Sequence, residues 1–263
     1  MAKYLKLFQT VAEKEAATLD YPNVNYTIEN DSIEILESAP VPPVAFGGLT
    51  VKYNIEDPTV EVTLFKGGGG SSSSSSSSSS ESGGGGTLPT RMIVDGNEET
   101  PINTWRFETA GEHVVQYEFE DNIVPGGFMA DGGIPATEAI IGDDITIIDS
   151  SADGGAFQSS TITSATIGDS VTSIGNYTFE YCSGLTSVTI GTGITSIGDS
   201  AFADSDGSLA SVTVNATTPP TLGGGAFNSA ASNFVIYVPA TSVNDYKGDS
   251  DWYEYALEIQ PIS

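Results

Sequence analysis

Within residues 164 to 202 the chain says nearly the same thing twice, IGDSVTSIGNYTF and then IGTGITSIGDSAF. The pair belongs to a longer pattern. Ile141-Gly142, Ile167-Gly168 and Ile190-Gly191 recur at intervals of 26 and 23 residues, and Phe157, Phe179, Phe202 and Phe227 at intervals of 22, 23 and 25. In the clearest unit the apolar positions Phe179, Cys182, Leu185, Val188 and Ile190 stand three, three, three and two apart. The closing step of two fits a short strand with Val188 and Ile190 turned inward. Ile194 and Ile197 then line the return path to Phe202. A unit of this length cannot bury its own apolar edge, so neighbouring units must stack. The spacing predicts a solenoid over residues 126–239, closed by a cap over 240–263 in which Tyr246, Trp252 and Tyr253 cover the last coil.

The remainder reads as two further parts, and the whole chain as mainly β. KYLKLFQ alternates like a strand, Thr10 and Glu13 fit a capping box opening a helix over roughly residues 11 to 19, and NVNYTIENDSIEIL reads as a hairpin turning at Asn30-Asp31. Residues 1–38 are thus expected to form a small α+β unit, too short to be stable alone and so destined to dock on something. Leu5, Leu7 and Phe8 are the expected docking contacts. Beyond the stiff connector APVPPVAF, the alternation of LTVKYNI, TVEVTLF, TRMIVDG and NTWRFETAGEHVVQYEFED predicts an Ig-like β-sandwich over 39–125. TAG reads there as a hairpin turn, with Trp105 and Phe107 on one face of the first strand and Val115, Tyr117 and Phe119 on one face of the second. The run GGGGSSSSSSSSSSESGGGG, residues 67–86, has nothing to bury and reads as a flexible loop inserted between strands.

Charge and motif content narrow the function classes. Eight Lys and Arg stand against 35 Asp and Glu, a net charge of -27, and no Lys or Arg lies between Arg106 and Lys247. Such a surface repels nucleic acid and anionic headgroups, which are held by cations. The first twenty residues carry no uninterrupted apolar run of the signal-peptide kind, and no stretch is apolar for long enough to span a bilayer, so folding in a cytoplasm without membrane insertion is expected.

Chemistry is sparse, and no catalytic, cofactor or metal residue is assigned. His113 is the single histidine, expected on the solvent side of its strand or pairing across the hairpin, so no two-histidine metal site exists. Cys182 occupies an apolar repeat position and reads as a small buried hydrophobe. The glycine runs at 67–70, 83–86 and 223–225 lack the lysine and helix of a phosphate loop. ADSDGS at 203–208 and DSD at 249–251 read as solvated turns, because Gly207 directly follows Asp206 in too short a loop for an EF-hand, and Ca²⁺ binding is left open. A glycosidase carboxylate pair is also not excluded by spacing.

SVTSIGNYTFEYCSGLTSVTI, residues 170–190, resembles the BspA-like branch of leucine-rich repeats almost throughout, and the resemblance extends over about residues 140 to 240. Gly191 stands where that family usually has proline, and the unit beginning at Ile141 is ragged. MAKYLKLFQTVAEKEAA followed by a hairpin is similar to the N-termini of virion fibre and tail proteins of crAss-like phages of gut Bacteroidales. The order of IVDG strand, WRFETAGEHVVQYEF hairpin and repeats also resembles that setting. This resemblance implies a non-enzymatic virion protein, a head or tail fibre bound to capsid or tail proteins by its N-terminus, with its repeats facing outward toward a host-surface glycan or protein. It would be assembled in the host cytoplasm, with a homo-oligomer left open. The expected ligand surface comprises Thr189 and Thr213 on the solenoid strands and Tyr246, Trp252 and Tyr253 in the cap. A bacterial surface adhesin, which would require export, is the second reading, and a capsule-degrading enzyme the third.

Overall fold

The computed structural model describes residues 26–29, 32–35, 46–65, 89–129, 135–151 and 154–263. Met1–Ala45 and Phe46–Ser263 are separate units. In the first, β1 (Tyr26–Glu29) and β2 (Ser32–Ile35) pair antiparallel with Glu29 opposite Ser32, the hairpin expected about Asn30-Asp31. The expected helix at 11–19, the docking residues Leu5, Leu7 and Phe8, and the run 67–86 lie outside the described residues.

The second unit opens with β3 (Leu49–Ile55), β4 (Val62–Thr63), the hairpin β5 (Arg91–Val94) and β6 (Asn97–Glu99), then β7 (Thr104–Trp105), β8 (Gly111–Glu118) and β9 (Ile123–Val124). The coils begin at β10 (Ala136–Ile141) and β11 (Ile147–Ile148), followed by a small hairpin, β12 (Ser150–Ser151) with β13 (Gly154–Gly155). Each later coil gives one strand to a large sheet and a two-residue strand to a smaller one: β14 (Ser164–Ile167) and β15 (Ser173–Ile174), β16 (Ser187–Ile190) and β17 (Ser196–Ile197), β18 (Ser211–Val214) and β19 (Thr221–Leu222). The chain closes with β20 (Val235–Val238), a short helix (Val243–Gly248), a 3-10 turn (Tyr253–Tyr255) and β21 (Ile259–Pro261).

The strands expected to form a sandwich instead extend the large sheet by antiparallel pairing. The large sheet has ten strands in the order β21-β20-β18-β16-β14-β10-β3-β8-β5-β6, and β9 begins the smaller sheet, ordered β19-β17-β15-β11-β9. β10 pairs in parallel with β14 on one side and antiparallel with β3 on the other. The physical reason lies in the first coil, whose strand edge and apolar interior need a cover. β3 supplies it, with Leu49, Val51, Tyr53 and Ile55 buried. The expected TAG hairpin also gives way. β8 pairs with β3 and β5, while β7 pairs with β4, so Trp105 sits opposite Val62 rather than in β8's register. Val115, Tyr117 and Phe119 do share the buried face that their alternation predicts.

Inside the coils the repeated phenylalanines form one column. Phe157, Phe179 and Phe202 stack at centroid distances of 4.9 and 5.4 Å with planes 7° apart, and Phe227 follows at 5.6 Å and 13°. Two left-handed positions flank the ring in successive coils: Tyr177 and Tyr181 about Phe179, and Ser200 and Asp204 about Phe202. These reversals turn the chain so that Phe179 N–H can bond Ala201 O at 2.7 Å and Phe202 N–H can bond Ala226 O at 2.8 Å.

The recurring Thr-Ser pairs and Gly-Asp or Gly-Asn pairs are also inter-coil devices. Thr195 donates both its N–H, at 2.8 Å, and its hydroxyl, at 2.9 Å, to Thr172 O in the coil before. The Asn176 side-chain carbonyl accepts from Asp199 N–H, and the Asp199 carboxylate accepts from Gly224 N–H, each at 2.8 Å. These bonds satisfy corner N–H groups that the strand ladders leave over. Gly198 is glycine because the backbones of two coils approach closely there: a Cβ would lie 2.6 Å from Asn176 N. Gly198→Ala is therefore expected to lower unfolding free energy by roughly 1–3 kcal/mol, the cost of forcing packed backbone apart. Urea unfolding of the full chain measures it, and unchanged stability would contradict the close approach.

Candidate functional site

The same alternation that turns Val188 and Ile190 inward turns Ser187 and Thr189 outward. Because the coils pair in register, the outward residues line up. Thr166, Thr189, Thr213 and Tyr237 are successive partners across β14, β16, β18 and β20, and Gln260 follows on β21. Ser164, Ser187 and Ser211 form a second row beside the first. Adjacent strands lie about 4.8 Å apart and alternate residues about 6.6 Å apart, so the face presents a lattice of small polar groups. In the other direction the first row continues from Thr166 through Ile140 and Thr50 to Gln116.

This face is flat, hydroxyl-rich and nearly free of charge over the coils. A Lys52–Glu138 ion pair at 2.7 Å lies in the second row, where β3 joins β10. The Glu138 side chain, as the principal cause, holds the Lys52 ammonium above its ordinary pKa. A lattice of hydroxyl and methyl groups suits a neutral, extended, polyhydroxylated ligand or a protein face. It offers no cationic grip for phosphate or nucleic acid.

The expected ligand residues separate into two groups. Thr189 is exposed and Thr213 half-buried on the row, and Tyr253 is exposed in the cap. Tyr246 and Trp252 are fully buried, which removes them from any ligand surface. They face inward because each seals a backbone carbonyl: Tyr246 hydroxyl donates to Ala216 O at 2.9 Å, and Trp252 Nε1 donates to Pro220 O at 2.7 Å. Their rings meet edge to face at 5.0 Å. Thr166 and Tyr237 complete the row but were not among the expected residues. Their signal was present in SATI, SVTI, SVTV and VIYV, where each third residue is the outward partner of Thr189.

His113 is buried rather than on the solvent side, because β8 packs that face inward. Its Nδ1 meets Asp95 Oδ2 at 2.7 Å, its Nε2 meets Thr109 O at 2.9 Å, and its ring lies 4.3 Å from that of Phe107. The histidine thereby ties two turns to β8. Asp204 accepts from Ser229 hydroxyl of the following coil, and Asp249 accepts from Asp251 N–H within its own turn. No group of three or more His, Cys, Asp or Glu among the described residues could hold a metal ion. No helix among the described residues is long and apolar enough to cross a membrane.

Cys182 is buried as expected, donating to Phe157 O at 3.1 Å with Ser160 Oγ 3.3 Å away. Burial pushes its thiol up to about 11, from the usual 9.0. Thiol reagents at neutral pH are therefore expected to label the native chain only after unfolding. The sign of the linkage follows: the unfolded thiol ionises first, so its contribution to stability is lost as pH rises from about 9 to about 11. Rapid labelling of native protein, followed by mass spectrometry, would contradict this placement.

A stack of in-register coils closed by an aromatic cap defines a β-solenoid of the repeat-protein class. Residues 139–247 match the BspA type Leucine rich repeat region, in six copies. No curated protein matches the chain.

Proposed function

We propose that the chain is a non-enzymatic interaction module displayed on a surface, and that this surface is a phage particle. In this reading it is a head or tail fibre that decorates the virion or meets a host-surface glycan or protein. The observation that carries the interaction reading is the aligned, outward row Thr166, Thr189, Thr213 and Tyr237 on the large sheet. The match of residues 139–247 to BspA type repeats supports it. The virion setting rests on the sequence of the opening residues and on the order of the strands that precede the repeats. Capsid or tail proteins would be the partners of residues 1–38, and Leu5, Leu7 and Phe8 the docking contacts.

Gold-labelled antibody against residues 126–263, imaged on purified particles of the phage that encodes the chain, should mark capsid vertices or tail appendages. Particles without label, and without peptides of the protein in their mass spectrum, would overturn the virion setting. A bacterial surface adhesin is then the reading that the BspA type repeats favour, and label on the bacterial surface would support it.

A further inference from the structure

Four successive coils turn the chain about the phenylalanine column in the same way. Two residues before the ring stand Gly155, Tyr177, Ser200 and Gly225, and two residues after it Ser159, Tyr181, Asp204 and Ser229. All but Gly155 lie in the left-handed region, with φ between 51° and 65°. Glycine, serine and aspartate fill these positions in three of the coils, and a short side chain suits that conformation. Only the coil of Phe179 places large side chains there, and both are tyrosine. A bulky residue is costly in that region of backbone space. Tyr177 is 42 % and Tyr181 53 % exposed. Among the described residues neither ring meets another aromatic ring, and neither hydroxyl has a protein partner. Core packing therefore does not account for the pair.

The surroundings of the pair are acidic. Glu180 lies between the two tyrosines in the chain and is almost wholly buried, with Oε2 accepting from Gln158 Nε2 at 2.6 Å. Toward the next coil, Tyr177 N–H bonds Asp199 O at 2.9 Å and Tyr181 N–H bonds Ala203 O at 3.1 Å. Asp199 thus adjoins Tyr177, and Asp204, which follows Ala203, holds the place in its coil that Tyr181 holds here. The Asp199 and Asp204 carboxylates accept from Gly224 N–H and from the Ser229 hydroxyl, neutral donors that leave the negative charge in place. The coils contribute no cation to offset it, since no Lys or Arg lies between Arg106 and Lys247.

We propose that this edge of the solenoid docks a basic segment of a partner protein, with an arginine side chain laid against Tyr177 or Tyr181. Exposed tyrosines suit a protein contact, because each offers a large, rigid apolar face with a polar tip. The acidic surroundings select the sign of the partner. A net charge of -27 draws a basic surface in and turns an acidic one away. Arginine answers both features at once: its planar guanidinium stacks on an aromatic face, and its fork of N–H donors meets carboxylates. Lysine brings the charge but stacks less well. A neutral saccharide can lie on a tyrosine face but gains nothing from the negative field, so it is the less favoured occupant. The edge shares no residue with the outward row of the large sheet, and the proposal does not depend on that reading.

The test is an NMR titration of the full chain with end-capped tetra-arginine and tetra-lysine peptides, which carry equal charge. The field of the whole chain attracts both alike, so a difference between them reports on the tyrosines. Saturable shifts at Tyr177 and Tyr181 are expected with tetra-arginine, at least about threefold tighter than with tetra-lysine and weaker as salt is raised. In the double variant Tyr177→Ser, Tyr181→Ser the preference should vanish, leaving both peptides bound equally. Serine holds these positions in neighbouring coils, as Ser200 and Ser159, so the variant should unfold at or above the wild-type temperature. Equal binding of the two peptides by wild type, shifts confined to other residues, or an arginine preference that survives the double variant would overturn the proposal. So would salt-independent, saturable shifts at the two tyrosines with methyl β-glucoside and none with tetra-arginine, which would assign the pair to a saccharide. The wild-type comparison stands even if the variant fails to fold.

Discussion

Phe202→Ala is expected to destabilise the solenoid by about 3–5 kcal/mol and to split its unfolding into two steps. The ring is fully buried and stacked between Phe179 and Phe227, so its loss leaves a cavity that neither neighbour can fill without leaving its own stack. In a stacked-repeat protein stability is the sum of coil and interface contributions, and this ring belongs to two interfaces at once. Coils on the cap side should then melt separately from those joined to β3. Urea unfolding followed by the two tryptophans reports both ends, since Trp105 lies upstream of the coils and Trp252 in the cap. A single transition with a loss below about 1 kcal/mol would show that the column is not continuous.

Trp252→Ala is expected to be comparably severe, at about 3–5 kcal/mol, because it opens the end of the stack. Trp252 is completely buried, and its rings meet Tyr246 at 5.0 Å and Phe227 at 6.1 Å. Trp252→Phe separates packing from hydrogen bonding. It keeps most of the apolar volume but leaves Pro220 O without the Nε1 donor at 2.7 Å. An unsatisfied buried carbonyl costs about 1–3 kcal/mol, so this variant should fall between wild type and alanine. Thermal unfolding of the three proteins measures the order. If Trp252→Phe matches wild type, the bond to Pro220 contributes nothing and the cap acts by packing alone.

The solenoid was largely legible in the sequence because its constraints are periodic. Phe179, Cys182, Leu185, Val188 and Ile190 each recur in a fixed position, and all are buried where the spacing puts them. Strand partners outside the repeats were not legible. Alternation in GEHVVQYEF identifies an amphipathic strand but carries no label for its neighbours, and β8 pairs with β3 and β5 across long stretches of chain. The cap shows the same limit. Composition marks Tyr246 and Trp252 as aromatics able either to cover a coil or to face a ligand, and only the positions of Ala216 O and Pro220 O decide for covering. Half of the outward row was read and half missed: Thr189 and Thr213 were picked from single units, while Thr166 and Tyr237 emerge once the coils are in register.

The central claim is that the large sheet's outward row is the interaction surface. Retention of the full-length protein on host cells tests it, comparing wild type with the triple variant Thr166→Gln, Thr189→Gln and Thr213→Gln. Glutamine is neutral and bulkier than threonine, so it disturbs the lattice without adding charge to a chain already at -27. Leu257→Ser, at an 88 % exposed cap position that is not part of the row, is the control. The account predicts at least about a tenfold fall in retention for the triple variant and none for the control, the loss typical of a disrupted contact surface. Equal retention of all three proteins would contradict it.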